Sequence, residues 1–294
     1  MKNYAYVSLL ATDNYIGAAI VLMECWRELK SPYPFYMMVT ENISQEKIEI
    51  LEVLGFKIIH INEWQPAEYV NMKENLKDDK EAMHWHGTNP LSNGWQHIFS
   101  KLLIWNLTQF DKVCWVDLDI IFFRNIDDVF DLPGSTFLEP DANDYVSSQL
   151  IVAEPNEHLF KALKEYGDRF IPTEETHHSI FTDEDIIHSF FHDEIANCKK
   201  FIPITYSYAW NRCSIALEFM QLSHQLHGVH ITGPAKPWLL GNDYIRNFSS
   251  QWYPAKAIWS YYVSCYNVGV KKLMAKGFKN LTLWPEGDEY DLKV

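Results

Sequence analysis

Residues 4–39 read YAYVSLLATDNYIGAAIVLMECWRELKSPYPFYMMV. The stretch opens on a strand-like run, Tyr4–Leu10, which is apolar and β-favouring. Ile16–Leu29 then repeats its apolar positions at helical spacing. Ser31-Pro-Tyr-Pro34 breaks that helix, and Phe35–Val39 resumes a strand. The pattern continues with a helix over Ser44–Leu54, opened by a serine cap, and a third strand over Lys57–Ile61. Strand–helix–strand units of this length call for right-handed crossovers between parallel strands, and so for a sheet covered on both faces. The expected class is α/β.

Outward from this unit the signals thin. Residues 62–95 lack clean periodicity and end near His84-Trp-His86, which reads as a long, partly helical loop; loops of that length are often functional. A helix is expected over about Gln96–Thr108, strands over Lys112–Val116 and Gln149–Ala153, and a helix over Asn156–Arg169. A short helix with an acidic start, Asp183–Phe191, follows. Val229–Ile231 reads as a last short strand and Pro254 to about Lys276 as a helical tail. No internal repeat or low-complexity linker interrupts the chain. The expected organisation is therefore one domain over residues 1–245 with a helical extension over 246–294 packed on it.

The chain has 294 residues, 47% of them hydrophobic and 22% charged, which excludes a disordered or fibrous protein. Its formal net charge of −14 argues against nucleic acid or an anionic membrane surface as the main partner. No apolar run approaches the roughly 18 residues of a membrane span; the best candidate, Val113 to Phe123, is interrupted by Asp117 and Asp119. Five cysteines, Cys25, Cys114, Cys198, Cys213 and Cys265, are widely spaced with no C-x-x-C pair. They suit buried thiols in a reducing compartment. The first residues do not form a signal-peptide pattern, so a cytoplasmic location is expected.

The most informative chemistry lies in Lys112-Val-Cys-Trp-Val-Asp117-Leu-Asp119-Ile-Ile-Phe-Phe. On a strand, positions two apart share a face, so Asp117 and Asp119 converge on one spot. Two like charges in an apolar run need a cation or an exit to solvent. A divalent metal at the carboxyl end of an α/β strand answers that need; a pair of turn or capping aspartates is the plainer alternative. Far along the chain stands His230-Ile-Thr-Gly233-Pro-Ala-Lys236-Pro-Trp238. His230 is a candidate third ligand, Gly233 would allow close backbone approach to a phosphate, and Lys236 would offer it a point charge.

These segments resemble glycosyltransferase family 8, the group containing glycogenin and galactinol synthase. The resemblance covers about residues 4–240. It rests on Ala5-Tyr-Val-Ser-Leu-Leu-Ala-Thr-Asp-Asn-Tyr15, Ser100-Lys101-Leu-Leu-Ile-Trp, Asp117-Leu-Asp119 with the following Asn-Ile-Asp-Asp-Val-Phe, and His230-x-x-Gly-x-x-Lys-Pro-Trp238. It implies a GT-A fold, a Rossmann-like mixed sheet that binds a nucleotide sugar. It also implies Mn²⁺-dependent transfer of a hexose from UDP-glucose or UDP-galactose, with retention, by direct front-side attack.

By the same resemblance Asp117, Asp119 and His230 match the metal ligands. Leu9, Ala11, Thr12 and Tyr15 fall on the uridine loop, with Tyr15 suited to stacking. Lys101 matches a basic residue near the donor, Leu118 lies between the two metal-binding acids, and Gly233 and Lys236 match phosphate contacts. Asp183 falls where sugar hydroxyls are bound, and Glu184 where many members carry Gln near the reacting face. A carboxylate there could stabilise an oxocarbenium-like state or act as nucleophile; helix-dipole complementarity is its plainer reading. The expected catalytic set is Asp183, Glu184 and Lys236.

Ser147-Ser148-Gln149 departs from the family's usual Asn-Ser-Gly or Asn-Ala-Gly at the donor-sugar site, which leaves sugar identity open. Tyr206 and Tyr208 do not make a convincing self-glycosylation segment. His84, Trp85, His86, Trp95 and His97 form a candidate acceptor lid, with loop packing as the alternative, and His177-His178 reads as a solvated loop. Trp252, Trp259, Tyr261 and Tyr262 read as the tail's packing face. The acceptor is a sugar, polyol or protein, and nothing in the sequence decides for the homodimer that the family admits. A nucleotide-sugar-binding protein without activity and an aspartyl-phosphate phosphatase are the competing functions.

Overall fold

The first strand, β1 (Tyr4–Leu10), lies parallel to β2 (Phe35–Val39) on one side and to β4 (Lys112–Val116) on the other. In this computed structural model the described residues are 2–67, 69–70, 95–140, 146–171, 182–197, 200–209, 223–232, 236–240 and 253–283. β3 (Lys57–His60) extends the parallel set beyond β2. β7 (Ser147–Ala153) pairs antiparallel with β4, and β6 (Thr136–Leu138) antiparallel with β7. The sheet order is thus β3-β2-β1-β4-β7-β6, a mixed sheet of six strands.

A second, three-stranded sheet has the order β5-β9-β8, from Ile120–Phe122, Gly228–His230 and Tyr208–Ala209. The chain leaves β4, passes through Asp117-Leu118-Asp119 and enters β5 directly. The two acids therefore sit where one sheet hands the chain to the other. Val229–Ile231 was expected as a last strand; the observed strand starts one residue earlier and belongs to this smaller sheet.

Apolar residues cover both faces of the main sheet. On one face α1 (Ile16–Leu29), the small sheet and the long C-terminal helix, Tyr253–Ala275, gather one core around Tyr6, Leu10, Cys114 and Val116. On the other, Phe99, Leu102 and Trp105 pack with Val7, Val113 and Ile151. Successive residues of β1 and β4 divide between these cores, as strand alternation requires. Trp259 and Tyr262 are buried and stacked on one another, so the tail's aromatic spacing is a packing face; Trp252 lies outside the described residues. The C-terminal helix meets α1 closely: a Cβ on Gly269 would stand 2.4 Å from Ile20 Cγ2. Buried Glu24 of α1 is met there by Arg27 and by Lys272 at 2.5 Å.

Two local expectations are corrected. Residues Trp95–Asn106 wind as a 3-10 helix rather than an α-helix. At three residues per turn Phe99, Leu102 and Trp105 eclipse one another, and all three are fully buried. Their spacing of three is shared with an α-helical stripe, which is why the sequence pattern did not separate the two. Ser44 stands at the cap of α2 (Gln45–Leu54), but its side chain makes no capping bond. Instead its backbone N–H donates to Asp13 Oδ1 at 3.0 Å, tying the helix start to the loop after β1.

Cys25, Cys114 and Cys265 are buried free thiols; Cys198 and Cys213 lie outside the described residues. Among the described residues no helix is long and apolar enough to cross a membrane.

Candidate active site

Asp117 follows the last residue of β4, and its N–H donates to the Gln149 carbonyl of β7 at 2.9 Å. Asp119 immediately precedes β5, and its carbonyl accepts from Ile231 N–H, just beyond β9, at 3.0 Å. His230 pairs with Ile120 across the small sheet, so its ring stands beside Asp119. His230 Nε2 is 3.0 Å from Asp119 Oδ1 and 3.9 Å from Asp117 Oδ2. One ligand atom from each of the three residues lies within 4.8 Å of the other two.

Two lysines face the acids from opposite sides. Lys101, from the 3-10 helix, is 3.1 Å from Asp117 Oδ1 and 3.1 Å from Asp183 Oδ2. It also donates to the carbonyl and hydroxyl of Ser148, at 3.1 and 2.7 Å. Lys236 donates to Asp119 Oδ2 at 2.6 Å and to the Ile231 carbonyl at 2.5 Å. Both ammonium groups are buried.

Asp183 and Glu184 open a helix, Asp183–Phe190, whose cap is secured by Asp185: its Oδ2 accepts from the N–H and the hydroxyl of Thr182. Glu184 does more than complement the helix dipole. Its Oε1 accepts from Ser148 N–H at 2.9 Å and from the hydroxyls of Ser147 and Ser148 at 3.2 and 3.3 Å. A relay thus runs from Lys101 through Ser148 to Glu184. The unusual Ser-Ser pair is the means by which that carboxylate is held.

Burial pushes the Asp117 carboxyl above the usual carboxylate range, although Lys101 and His230 oppose the shift. Burial acts on Asp119 in the same direction, but His230 and Lys236 outweigh it and hold the carboxyl well below that range. For Lys101 burial favours the neutral form, and Asp117, Asp183 and Glu184 overcome it, so the group stays charged. Counted as ionised, Asp117, Asp119, Asp183 and Glu184 exceed Lys101 and Lys236 by two negative charges. A divalent cation matches that charge, and two carboxylate oxygens with an imidazole nitrogen match the preferences of Mn²⁺-like ions. The residues present fit such an ion.

The uridine-loop residues flank this cluster. Tyr15 ends a short turn, Asp13–Tyr15, and its ring lies 5.2 Å from that of Trp238, two residues beyond Lys236. Burial, with the Asp119 charge, pushes the Tyr15 hydroxyl up to about 12. Ala11 accepts a weak bond from Thr40, Thr12 precedes the turn, and Leu9 pairs with Met38 within the sheet. Leu118 is buried in the core, so its side chain is a structural spacer between the acids. Gly233, His84, Trp85, His86, His177 and His178 lie outside the described residues. His97 is buried against Glu63, with Nδ1 to Oε2 at 2.8 Å, which makes it packing rather than lid. Tyr206 and Tyr208 are buried.

The sequence reading missed Trp115. Its indole N–H donates to Asp117 Oδ1 at 2.7 Å, and Lys101 stands 5.4 Å from its ring centroid. The signal was present, since Trp115 lies two before Asp117 and shares its strand face. Gly17 is a second omission: a Cβ there would stand 2.7 Å from Trp238 Cβ. Gly17→Ala is expected to cost about 1–3 kcal/mol, because a main-chain-proximal atom must shift. Denaturant titration measures the loss, and unchanged stability would show that the segment carrying Lys236 and Trp238 moves freely.

A mixed sheet of this order, with paired carboxylates and a histidine at its carboxyl edge, defines the GT-A class of glycosyltransferase folds. Of solved structures, the apo form of the glycosyltransferase GlyE from Streptococcus pneumoniae TIGR4 superposes with a TM-score of 0.56 at 16% identity. That match covers 94% of this chain and 64% of the other. The model of Glycosyl transferase family 8 matches residues 6–139. Glycogenin of Neurospora crassa is 26% identical over 80% of this chain and 31% of its own length. Galactinol synthase 7 of Arabidopsis thaliana is 30% identical over 45% of this chain and 35% of its own. The chain resembles glycosyltransferase family 8, through the family model over residues 6–139 and through these relatives. It spans about a third of the length of these curated relatives. These likenesses to glycosyltransferases speak against the aspartyl-phosphate phosphatase alternative.

Proposed function

We propose that this chain is a metal-dependent, retaining hexosyltransferase that uses a UDP-sugar, UDP-glucose or UDP-galactose, to glycosylate a hydroxyl acceptor. The observation that carries the reading is the convergence of Asp117, Asp119 and His230 between two buried lysines. Asp117, Asp119 and His230 would hold Mn²⁺, which supplies Lewis-acid stabilisation to the departing diphosphate. Lys236 adds a positive charge for the same leaving group, an electrostatic contribution made where charge develops. Gly233 belongs to this phosphate-binding segment.

Tyr15, Leu9, Ala11 and Thr12 would receive the uridine. Lys101 orients Asp117 and Asp183 together, so the metal side and the sugar side of the site share one buried cation. Asp183 would bind sugar hydroxyls. Glu184, held by Ser147 and Ser148, would face the reacting carbon as an electrostatic stabiliser. Direct front-side transfer remains the preferred course. Residues 1–245 form the catalytic unit in this reading, with residues 246–294 as its extension, and a cytoplasmic setting suits the buried free thiols.

The test is UDP release from UDP-glucose, UDP-galactose and other UDP-sugars, each with Mn²⁺ or EDTA. Release from one donor that needs the metal supports the transferase and names the sugar. Metal-dependent UDP binding with no release from any donor would leave a binding protein without transferase activity. A mass increase on the chain itself would identify it as its own acceptor.

A further inference from the structure

Each aspartate at the site divides its oxygens. Asp117 turns Oδ1 to Lys101 and Asp119 turns Oδ2 to Lys236, while Asp117 Oδ2 and Asp119 Oδ1 face His230. The two lysines are not equivalent. Lys101 is gripped by Asp117, Asp183 and both oxygens of Ser148, and its withdrawal would strand buried charge on two carboxylates. Among the described residues Lys236 meets one carboxylate, Asp119 Oδ2, beside the Ile231 carbonyl and the Trp238 ring 5.8 Å away, and it sits in the short stretch between β9 and the helix Pro237–Leu240. Its ammonium is a transferable cation placed beside the position for another cation.

His230 adds an independent observation. Its Nδ1 is buried with no hydrogen-bond partner among the described residues. Ligating histidines usually donate this second N–H to an acceptor, which raises their basicity. No described residue gives His230 that support, which leaves the three described ligands a weak metal site by themselves.

We propose that Lys236 is a counter-cation that neutralises Asp119 in the donor-free chain, so that a divalent ion binds tightly only once a diphosphate draws the ammonium away. The inference rests on the metal-and-diphosphate reading above. Its physical basis is that an ammonium on one oxygen of Asp119 repels a dication on the other and lowers the carboxylate's charge. A diphosphate offers Lys236 several anionic oxygens in exchange. Metal and donor then tighten each other's binding by the same factor, as linkage demands. The consequence is order: little ion is held by the empty protein.

Calorimetric titration with Mn²⁺ alone, then with Mn²⁺ at saturating UDP, would be run on wild type, Lys236→Met, Lys236→Gln and Lys236→Arg. Lys236→Met is expected to bind Mn²⁺ alone roughly tenfold more tightly than wild type, and to bind it roughly tenfold more weakly when UDP is present. Lys236→Arg keeps the charge and should follow wild type in both. Lys236→Gln preserves hydrogen bonding and replaces the Met variant if that one does not fold, as judged by melting in EDTA.

A merely structural role for Lys236 would not tighten binding of the bare ion. Equal or weaker Mn²⁺ affinity in the neutral variants would overturn the counter-cation proposal, while UDP-coupled Mn²⁺ binding by wild type would leave the transferase reading standing. Absence of Mn²⁺ and UDP binding in every form would overturn both.

Discussion

Asp119→Asn is expected to lower the rate of UDP-sugar turnover by about a thousandfold or more. The substitution keeps an oxygen for the Lys236 ammonium but removes the charge that, with Asp117 and His230, would hold the metal. Loss of one preorganised electrostatic contact in an active site costs two to three orders of magnitude in related cases. Here the change removes a ligand and weakens two neighbours, because Asp119 is also the anion nearest His230. The check is UDP release beside Mn²⁺ titration, with a melting curve to show that the variant is folded. Turnover within a factor of ten of wild type would remove Asp119 from the metal set.

Lys101→Met is expected to have the largest effect on stability, a loss of about 3–5 kcal/mol, because it leaves buried carboxylates without their shared cation. Asp117 and Asp183 both lose their partner, and Ser148 loses the donor to its carbonyl and hydroxyl. The pH dependence has a definite sign. In wild type the Lys101 pKa is raised above its usual 10.5, so its contribution is fully present below that value and is lost only at higher pH. Between pH 5 and 8 it is therefore flat. In the variant the stranded carboxylates are relieved by protonation, so the stability deficit should shrink from pH 7.5 to 5.5. Urea denaturation in EDTA at both values measures it. A deficit below about 1 kcal/mol would mean that water, not Lys101, compensates these acids.

Much of the site was legible because its chemistry is written in short, polar interruptions of apolar sequence. Asp117-x-Asp119 stood out inside a strand, and His230 with Lys236 stood out beside a glycine–proline turn. The parallel half of the sheet was equally plain, since its strands alternate with helices of ordinary length. The short strands β5, β6 and β8 were not. They have three, three and two residues, too few for any period to register. Their partners stand 110 residues away for Ile120 with His230, 21 for Tyr208 with Val229 and 14 for Phe137 with Ile151. Ser147 and Ser148 were read as a departure from a pattern. Their purpose, gripping Glu184 and Lys101, needed a third dimension, because it joins residues 101, 148 and 184.

Asp117 and Asp119 are two residues apart yet answer to different frames. One is hung from the six-stranded sheet through Gln149, and the other is fastened to the three-stranded sheet through Ile231. The gap between their carboxylates is thus a gauge of how the two sheets are seated on each other. Its tolerance is set partly at places that carry no charge, such as Gly228 at the far end of the strand that bears His230, where a Cβ would stand 2.6 Å from the Tyr206 carbonyl and 2.9 Å from Phe122. A methyl group there would alter no charge, and it would still press on β5 and on the turn before β8, shifting the small frame that carries Asp119 and His230.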